Sequence, residues 1–178
     1  PLRALVTRLR RARTALLLLD YDGTLVPLAP RPEDARPDAG VMALLEALIR
    51  VPGTSLHIVS GRAHTTLETW LGELDAALWA EHGFWRRQRP GQPWKAQFPV
   101  PPGWDDKIRP VLDEFAARTP GAMVERKTAS MTWHYRGADP ELGPLQARRL
   151  RAYLAEALHN LPVEVLPGRQ AVEIRLHG

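Results

Sequence analysis

Two acidic residues, Asp20 and Asp22, come directly after a run of apolar residues and before a Gly-Thr pair. Carboxylates held so close together repel each other and lose hydration, which costs on the order of several kcal/mol unless a cation compensates. Mg²⁺ suits this position because it is a hard ion that prefers oxygen ligands. Gly23 allows the backbone to turn sharply, and the Thr24 hydroxyl can donate a hydrogen bond to an oxyanion. These residues predict a Mg²⁺ site that also binds a phosphate group, with Asp20 and Asp22 as the metal ligands.

Phosphoryl transfer would give each acid a separate task. One carboxylate can attack phosphorus and form an aspartyl-phosphate, which splits hydrolysis into two easier steps. The acid two residues further on can protonate the leaving oxygen and later activate water. The alternative is an ordinary surface turn, since Asp and Gly are common turn residues. The position of the pair directly after a predicted buried strand, with a second strand ending in Ser-Gly-Arg, favours the chemical interpretation.

The elements that must position these acids follow an α/β order. Ala15–Leu19 is a continuous apolar run of strand length, which is typical of a strand buried on both faces of a parallel sheet. Further strands are predicted over residues 55–62 and 76–83, with helices from Asp38 to Arg50 and from Thr65 to Leu71. Strand, helix, strand, helix, strand is the order of a right-handed doubly wound unit with a parallel, Rossmann-like sheet.

Three polar turns follow these strands, and in open α/β sheets ligands bind beyond the carboxyl ends of the strands. The first turn carries Asp20 and Asp22, the second is Ser60-Gly61-Arg62, and the third is Glu81-His82-Gly83. We therefore expect the three turns to meet in one crevice.

The sequence pattern changes after Gly83, where we place a domain boundary. Three hairpins separated by helices over Trp104–Arg118 and Glu141–Leu158 predict an α+β module. The domains predicted are an N-terminal helix within residues 1–14, the first part of an α/β core over 15–83, and the module over 84–176. The N-terminal helix is predicted over residues 2–13, because leucines recur there at helical spacing. The strands predicted for the module are residues 84–89, 92–98, 122–127, 130–136, 163–167 and 171–176.

Several motifs of this chain resemble those of a known family. "LDYDGTL" resembles the first motif of the haloacid dehalogenase phosphatase superfamily. "VSGR", "AEHG", "VERKTASMTWHYRGADPE" and "GRQAVEIR" narrow the resemblance to the trehalose-6-phosphate phosphatases, and it covers residues 15–178 in order. The first motif is common to the superfamily, whereas the E-x-K…HYR run is more specific. The fold implied is a partial doubly wound core of the haloacid dehalogenase type with an α+β cap module.

The resemblance implies roles for the residues in the three turns. Asp20 would be the nucleophile and a metal ligand, and Asp22 the general acid/base, with its main-chain carbonyl also on Mg²⁺. Thr24 would support the reacting geometry, and Ser60 would bind phosphate. Two further residues that would line the crevice and bind substrate are Arg62 and His82.

The resemblance also implies that the α+β module is a mobile cap that binds the sugar. Glu125, Lys127 and Glu173 would hold trehalose hydroxyls, with Arg136 near the phosphate or the cap interface. Glu125 and Lys127 are two apart on a predicted strand and point to the same face. From the residues alone, an exposed salt bridge between these two side chains stays open as the alternative. His134 is expected to be a structural histidine, and the tryptophans are expected to pack.

The chain departs from the family pattern near its end. Relatives carry a phosphate-binding Lys and a late acidic pair, but no Lys follows Lys127 and no Asp follows Asp139. Because the chain also begins with Pro1, we expect it to be a piece of a longer product, with core elements missing after residue 178. These 178 residues alone are then expected to bind Mg²⁺ weakly, turn over poorly and expose an apolar sheet edge.

Composition narrows the classes of partner. The chain has no cysteine, which excludes disulfides and thiolate chemistry, and its net charge is +4. Its arginines are scattered among acids rather than forming a basic stripe, so a nucleic-acid partner is not expected. No apolar run approaches the roughly 20 residues that cross a bilayer, so we expect no membrane partner and a cytoplasmic location.

The function expected is therefore a Mg²⁺-dependent phosphatase that hydrolyses trehalose 6-phosphate to trehalose and phosphate in trehalose biosynthesis. A small sugar phosphate would be its partner, with fusion to, or association with, a trehalose-6-phosphate synthase. The alternative is an inactive phosphatase-like scaffold or regulatory module fused to such a synthase. A related phosphatase acting on another sugar is a third interpretation.

Overall fold

The computed structural model describes residues 7, 8, 12–29 and 31–177. The helix predicted over residues 2–13 lies largely outside the described residues. The chain forms two compact units, Pro1–Gln97 and Phe98–Gly178, which are called unit 1 and unit 2 below.

Unit 1 is built on one mixed sheet with the strand order β1-β2-β3-β4-β5. The parallel part, β1–β3, alternates with helices α1 and α2, as the sequence predicts. The last two strands, β4 and β5, form an antiparallel hairpin on β3. The strands are β1 (Ala15–Asp20), β2 (Thr54–Val59), β3 (Ala77–Ala80), β4 (Trp85–Arg87) and β5 (Lys95–Ala96). The helices are α1 (Ala39–Ile49) and α2 (His64–Leu71), with 3-10 turns at Pro32–Asp34 and Glu81–Gly83.

The core of unit 1 lies on one face of this sheet. Buried residues of β2 and β3, such as Ile58 and Leu78, pack in one cluster with Leu45 of α1 and Leu67 of α2. The start of α1 is fixed by Asp38, whose Oδ1 accepts a hydrogen bond of 2.8 Å from the Val41 main-chain N–H. That cap is the one predicted from the sequence.

The environment of β1 differs from the prediction of a strand buried on both faces. Within the described residues β1 is the outermost strand of the sheet, and its side chains alternate between half-buried and exposed. Leu16 and Leu18 are 59% and 60% exposed, because they point away from the face that α1 and α2 cover.

The boundary between the units also differs from the prediction. The sequence placed it near Gly83 and assigned residues 84–98 to the second module. The hairpin of β4 and β5 instead extends the sheet of unit 1, and the units divide between Gln97 and Phe98. The physical reason is the pairing of β4 with β3, in which Trp79 lies opposite Arg86.

Unit 2 is an antiparallel sheet with the strand order β6-β7-β9-β8 and two helices. Apolar side chains on one face, among them Trp133 and Ile174, pack in one cluster with Leu112 of α3 and Leu150 of α4. No helix in the part of the chain described here is long and apolar enough to cross a bilayer. The elements are α3 (Arg109–Ala117), β6 (Met123–Arg126), β7 (Ser130–His134), α4 (Leu142–Ala157), β8 (Val163–Gly168) and β9 (Ala171–Leu176).

Candidate active site

The first turn begins at Asp20, the last residue of β1. Gly23 takes a positive φ of 83°, and the main chain closes through hydrogen bonds from Gly23 N to Val26 O and from Val26 N to Tyr21 O. The Thr24 hydroxyl donates to Oδ2 of Asp20 at 3.3 Å. This turn leaves the Asp20 side chain exposed at the carboxyl end of the strand, with one oxygen oriented by Thr24.

The second turn holds Ser60, which is 2% exposed. Its main-chain N–H donates to Trp79 O at 2.9 Å, and its Oγ accepts a hydrogen bond of 3.1 Å from Arg62 N. Because the hydroxyl oxygen already accepts a bond, its one proton can be donated to another acceptor. A buried serine hydroxyl in this arrangement suits an anionic ligand.

The third turn is bonded directly to the second. Glu81 N donates to Arg62 O at 2.9 Å, and His82 N donates to Ser60 O at 3.0 Å. Glu81 and His82 have positive φ values of 50° and 57°, which non-glycine residues rarely adopt. A Cβ on Gly61 would lie 2.5 Å from Cε1 of His82, so a side chain there would displace the ring. Consecutive strained residues of this kind concentrate at functional sites.

Arg62 joins the second turn to the first. Its Nε and NH2 groups donate to the two carboxylate oxygens of Asp22, at 3.0 and 2.7 Å. The guanidinium carbon lies 4.7 Å from the ring centre of Trp70 and 5.7 Å from that of Tyr21. Burial raises the pKa of Tyr21 to about 12, so its hydroxyl stays protonated and donates to Ala35 O at 2.8 Å. The three predicted turns therefore meet, as expected from the topology.

The acids of the first turn fit a Mg²⁺ ion in part. Asp20 offers an exposed carboxylate, and oxygen donors are the ligands that Mg²⁺ prefers. The Asp22 carboxylate is held by Arg62, so its main-chain carbonyl is the more suitable donor. Among the described residues, no three His, Cys, Asp or Glu side chains cluster as a metal site. An ion here would take its remaining ligands from water, substrate or other parts of the protein.

A second polar constellation lies in unit 2, on the face of the sheet opposite its apolar core. Thr132 of β7 lies between Glu125 of β6 and Glu173 of β9 in the strand register. Residues directly opposite each other in an antiparallel sheet point to the same face. The two carboxylates that the sequence assigned to sugar binding therefore share one face of one sheet.

Two side chains, His134 and Lys127, contact the first of these carboxylates, one at each oxygen. Nε2 of His134 lies 2.8 Å from Oε2 of Glu125, and Nζ of Lys127 lies 3.3 Å from its Oε1. The hydrogen bond with His134, followed by the charge of Lys127, lowers the pKa of Glu125 to about 2 against the opposing effect of burial. The Glu125 carboxylate is thus charged and fixed before any ligand binds.

The second carboxylate is held by one arginine. Arg175 donates from Nε and NH2 to the two oxygens of Glu173, both at 2.8 Å. This hydrogen-bonded pair raises the pKa of Arg175. Arg136, by contrast, lies after the end of β7 with an exposed side chain. The structure brings Glu125, Lys127 and Glu173 onto one face and places Arg136 beyond the strand.

Three residues that the sequence did not assign to a site contact those that it did. His134 and Arg175 orient the two carboxylates of unit 2, and Trp70 lies against Arg62. Strand alternation could have indicated Arg175, two residues after Glu173. His134 required the pairing of β6 with β7, and Trp70 required the packing of α2, neither of which local sequence specifies.

Comparison with known proteins gives consistent matches. A family model described as Trehalose-phosphatase matches residues 18–178. A bifunctional trehalose-6-phosphate synthase/phosphatase of Thermoproteus tenax is 41% identical over 168 residues, covering 94% of this chain and 23% of the relative. A trehalose-phosphatase of Saccharomyces cerevisiae is 36% identical over 174 residues, covering 96% of this chain and 19% of the relative.

A solved structure, the C-terminal domain of a C. albicans trehalose-6-phosphate phosphatase, gives a TM-score of 0.90 at 32% identity. The match covers 98% of this chain and 61% of that chain. This chain spans about a fifth of the length of the two curated relatives, those of Thermoproteus tenax and Saccharomyces cerevisiae.

Proposed function

The chain belongs to the trehalose-phosphatase family of the haloacid dehalogenase superfamily, and from that premise we propose that its protein is a Mg²⁺-dependent trehalose-6-phosphate phosphatase. The observation that carries the proposal is the meeting of three turns in unit 1. That meeting places an exposed carboxylate, Asp20, beside a second acid, Asp22, and a turn that holds a buried serine hydroxyl. Such a set of groups supports attack on a phosphate ester followed by proton transfer.

In the first step, an oxygen of the Asp20 carboxylate forms a bond to phosphorus. The bond from phosphorus to the sugar oxygen breaks, and its electron pair stays on that oxygen. Asp22 donates a proton to the oxygen, so trehalose leaves as a neutral alcohol. Thr24 orients Asp20 through its hydrogen bond to Oδ2, and the Ser60 hydroxyl donates a hydrogen bond to a phosphoryl oxygen.

In the second step, water hydrolyses the aspartyl-phosphate. The Asp22 carboxylate takes a proton from the water as its oxygen attacks phosphorus, and the bond from phosphorus to Asp20 breaks. Inorganic phosphate leaves, and both acids return to their initial protonation states. The same residue thus acts first as acid and then as base, which its fixed position beside Asp20 supports.

Mg²⁺ would be held by the Asp20 carboxylate and the main-chain carbonyl of Asp22. When bound, the ion neutralises charge on the nucleophile and the phosphoryl oxygens, so that the two anions can approach. The Asp22 side chain is left for proton transfer.

We propose that unit 2 supplies sugar recognition through Glu125, Lys127 and Glu173. Sugar hydroxyls donate well to charged carboxylates, and each such bond contributes about 1.5–3 kcal/mol. The carboxylates are held by His134, Lys127 and Arg175 before binding, which reduces the ordering cost that a ligand must overcome. Arg136 and His82 remain proposed substrate contacts, from the family resemblance.

Fusion to, or association with, a trehalose-6-phosphate synthase is part of the proposal. The Thermoproteus tenax relative is named as a bifunctional synthase/phosphatase, and this chain matches 23% of it. We also propose a cytoplasmic location, because no apolar run of the sequence approaches the roughly 20 residues that cross a bilayer. Purification of the natural protein from its source, followed by mass measurement and synthase assay, tests the fusion.

The direct test is phosphate release by the intact natural protein that carries this sequence. We expect release from trehalose 6-phosphate with Mg²⁺, loss of release with a chelator, and much slower release from glucose 6-phosphate. Equal rates on both sugars would support a broader sugar phosphatase. No release from either sugar, in a folded protein with Mg²⁺, would contradict the proposal and support the scaffold or regulatory alternative.

A further inference from the structure

Arg62 connects two parts of the site that lie 40 residues apart in the chain. The sequence placed it among residues that bind substrate, on the family resemblance. Its guanidinium instead engages both oxygens of the Asp22 carboxylate, in the parallel two-bond geometry that fixes the orientation of the carboxylate plane. A single ammonium group cannot impose that orientation, because it lacks the planar fork.

Arg62 is itself held in place from several directions. Its side chain is only 14% exposed and lies over the rings of Trp70 and Tyr21. Its main-chain N–H donates to Ser60 Oγ, and its main-chain O accepts from Glu81 N. Two nitrogens of the guanidinium, Nε and NH2, are engaged by the Asp22 carboxylate, so this restrained side chain is suited to holding that group in place.

We propose that Arg62 is a positioning residue, which aims the Asp22 carboxyl group at the leaving oxygen and does not bind the substrate phosphate. The inference rests on the proposed acid/base role of Asp22. A carboxylate has about four lone-pair sites on its two oxygens. Arg62 contacts each oxygen once, and Asp22 would transfer its proton from a site that Arg62 does not contact. Trp70 supports this arrangement through the guanidinium.

Leaving groups that differ in their need for a proton distinguish positioning from phosphate binding. A sugar alkoxide is a poor leaving group and needs protonation, whereas p-nitrophenolate leaves without it. In the intact protein with Mg²⁺, Arg62→Gln is expected to lower kcat/KM for trehalose 6-phosphate by about 100-fold, within the range of general acid catalysis. For p-nitrophenyl phosphate we expect a change of less than about 3-fold, because no proton transfer to the leaving group is lost.

Inhibition by inorganic phosphate gives a second readout, which does not depend on the leaving group. If Arg62 acts only through Asp22, the inhibition constant of phosphate against p-nitrophenyl phosphate hydrolysis is unchanged in Arg62→Gln. Equal losses on the two esters, or a weakened inhibition by phosphate, would overturn the inference. In an Asp22→Asn background, Arg62→Gln should cause no further loss, and an additive loss would also contradict it.

A milder variant covers the case in which Arg62→Gln does not fold. Trp70→Leu removes the ring beside the guanidinium and leaves Arg62 and Asp22 in place. We expect it to lower kcat/KM for trehalose 6-phosphate by about 3- to 10-fold, which corresponds to the loss of one cation–π contact. Hydrolysis of p-nitrophenyl phosphate should again change little. The matched control is Arg50→Gln, which removes an exposed arginine–glutamate pair on α1. Arg50→Gln should leave kcat/KM for both esters unchanged.

A phenyl phosphate series separates failure of this inference from failure of the proposed function. Aryl esters of rising leaving-group basicity report on Asp22 whether or not the natural substrate is trehalose 6-phosphate. Arg62→Gln should steepen the dependence of kcat/KM on leaving-group basicity, whereas an unchanged slope would refute the inference.

Discussion

The acids of unit 1 lie at the end of a strand and in the turn that follows it, whereas the carboxylates of unit 2 lie within paired strands. Asp20 and Asp22 are positioned by bonds between three separate loops, with Arg62 as the link between the first and second. Glu125 and Glu173 are positioned by the register of an antiparallel sheet. Proton transfer and nucleophilic attack need groups converging on one atom from different directions, which turns can provide. Recognition of a sugar needs an ordered array of hydrogen-bonding groups, which a sheet face provides.

The two arrangements also differ in backbone strain. Glu81 and His82 take positive φ values in the third turn of unit 1, at a cost of roughly 1–3 kcal/mol each. Glu125 and Glu173 sit in regularly paired strands. The site proposed for chemistry therefore stores strain, and the surface proposed for recognition does not. Loss of the proposed nucleophile in unit 1 should affect every substrate, whereas changes in unit 2 should affect only the sugar ester.

The largest expected effect is that of Asp20→Asn, which removes the proposed nucleophile. Phosphate release from trehalose 6-phosphate and from p-nitrophenyl phosphate should both fall to background, because both need attack on phosphorus. The measurement is steady-state phosphate release by the intact protein. Asp34→Asn, an exposed acid paired with Arg31, is the matched control and should retain full activity. Substantial activity of the Asp20→Asn variant would remove the basis for placing the chemistry in unit 1.

Glu125→Gln should have the next largest effect, confined to the sugar ester. Loss of a charged acceptor is expected to reduce kcat/KM for trehalose 6-phosphate by about 10- to 100-fold. Hydrolysis of p-nitrophenyl phosphate should change by less than about 3-fold, since that ester has no sugar hydroxyls to bind. Glu114→Gln changes an exposed glutamate of α3 in the same unit and serves as control. An equal loss of kcat/KM for both esters would contradict the assignment of sugar recognition to unit 2.

His134→Ala tests whether the carboxylates of unit 2 are fixed in advance. The pKa of Glu125, about 2 in the native protein, should rise toward its ordinary value of 4.5, because its strongest hydrogen bond is lost while Lys127 remains. The native carboxylate stabilises the fold fully above its unfolded pKa, and this contribution disappears as pH falls through about 2. Carboxyl NMR titration measures the shift, and acid unfolding should begin at a higher pH in the variant. An unchanged titration would show that His134 does not hold Glu125.

The smallest effect expected is on stability, from His82→Gly. Glycine adopts positive φ without steric cost, so this change should relieve strain and raise the free energy of unfolding by up to about 1 kcal/mol. His57→Gly, in the regular strand β2, should instead lower it by more than the roughly 0.5–1 kcal/mol of a strand glycine, because the hydrogen bond from Trp79 Nε1 to His57 Nδ1 is also lost. Urea unfolding of the two variants gives the comparison. Destabilisation by both would mean that the third turn is not strained.

Local sequence predicted the elements of unit 1 better than their environment. The cap at Asp38 and the turn after Asp20 depend on neighbouring residues, so they could be read directly from the sequence. The exposure of Leu16 and Leu18 could not, because an unbroken apolar run does not reveal which face other elements cover. The boundary near Gly83 was wrong for a similar reason, since nothing local specifies that β4 pairs with β3.

The candidate sites also contain some features that local sequence shows and others that it does not. The shared face of Glu125 and Lys127 follows from strand alternation, and the structure agrees with it. The contact of Arg62 with Asp22 spans 40 residues and depends on how two turns pack, which spacing does not show. His134 was expected to be structural, whereas its contact with Glu125 depends on the register of β6 against β7.

The most direct test of the central claim is a search for the phosphoenzyme. The intact protein, mixed with Mg²⁺ and trehalose 6-phosphate labelled at phosphorus and quenched in acid within milliseconds, should carry the label on one peptide. We predict that this peptide contains Asp20 and that hydroxylamine releases the label, as expected of an acyl phosphate. Rapid turnover without labelled protein, or label on a peptide that lacks Asp20, would contradict the account.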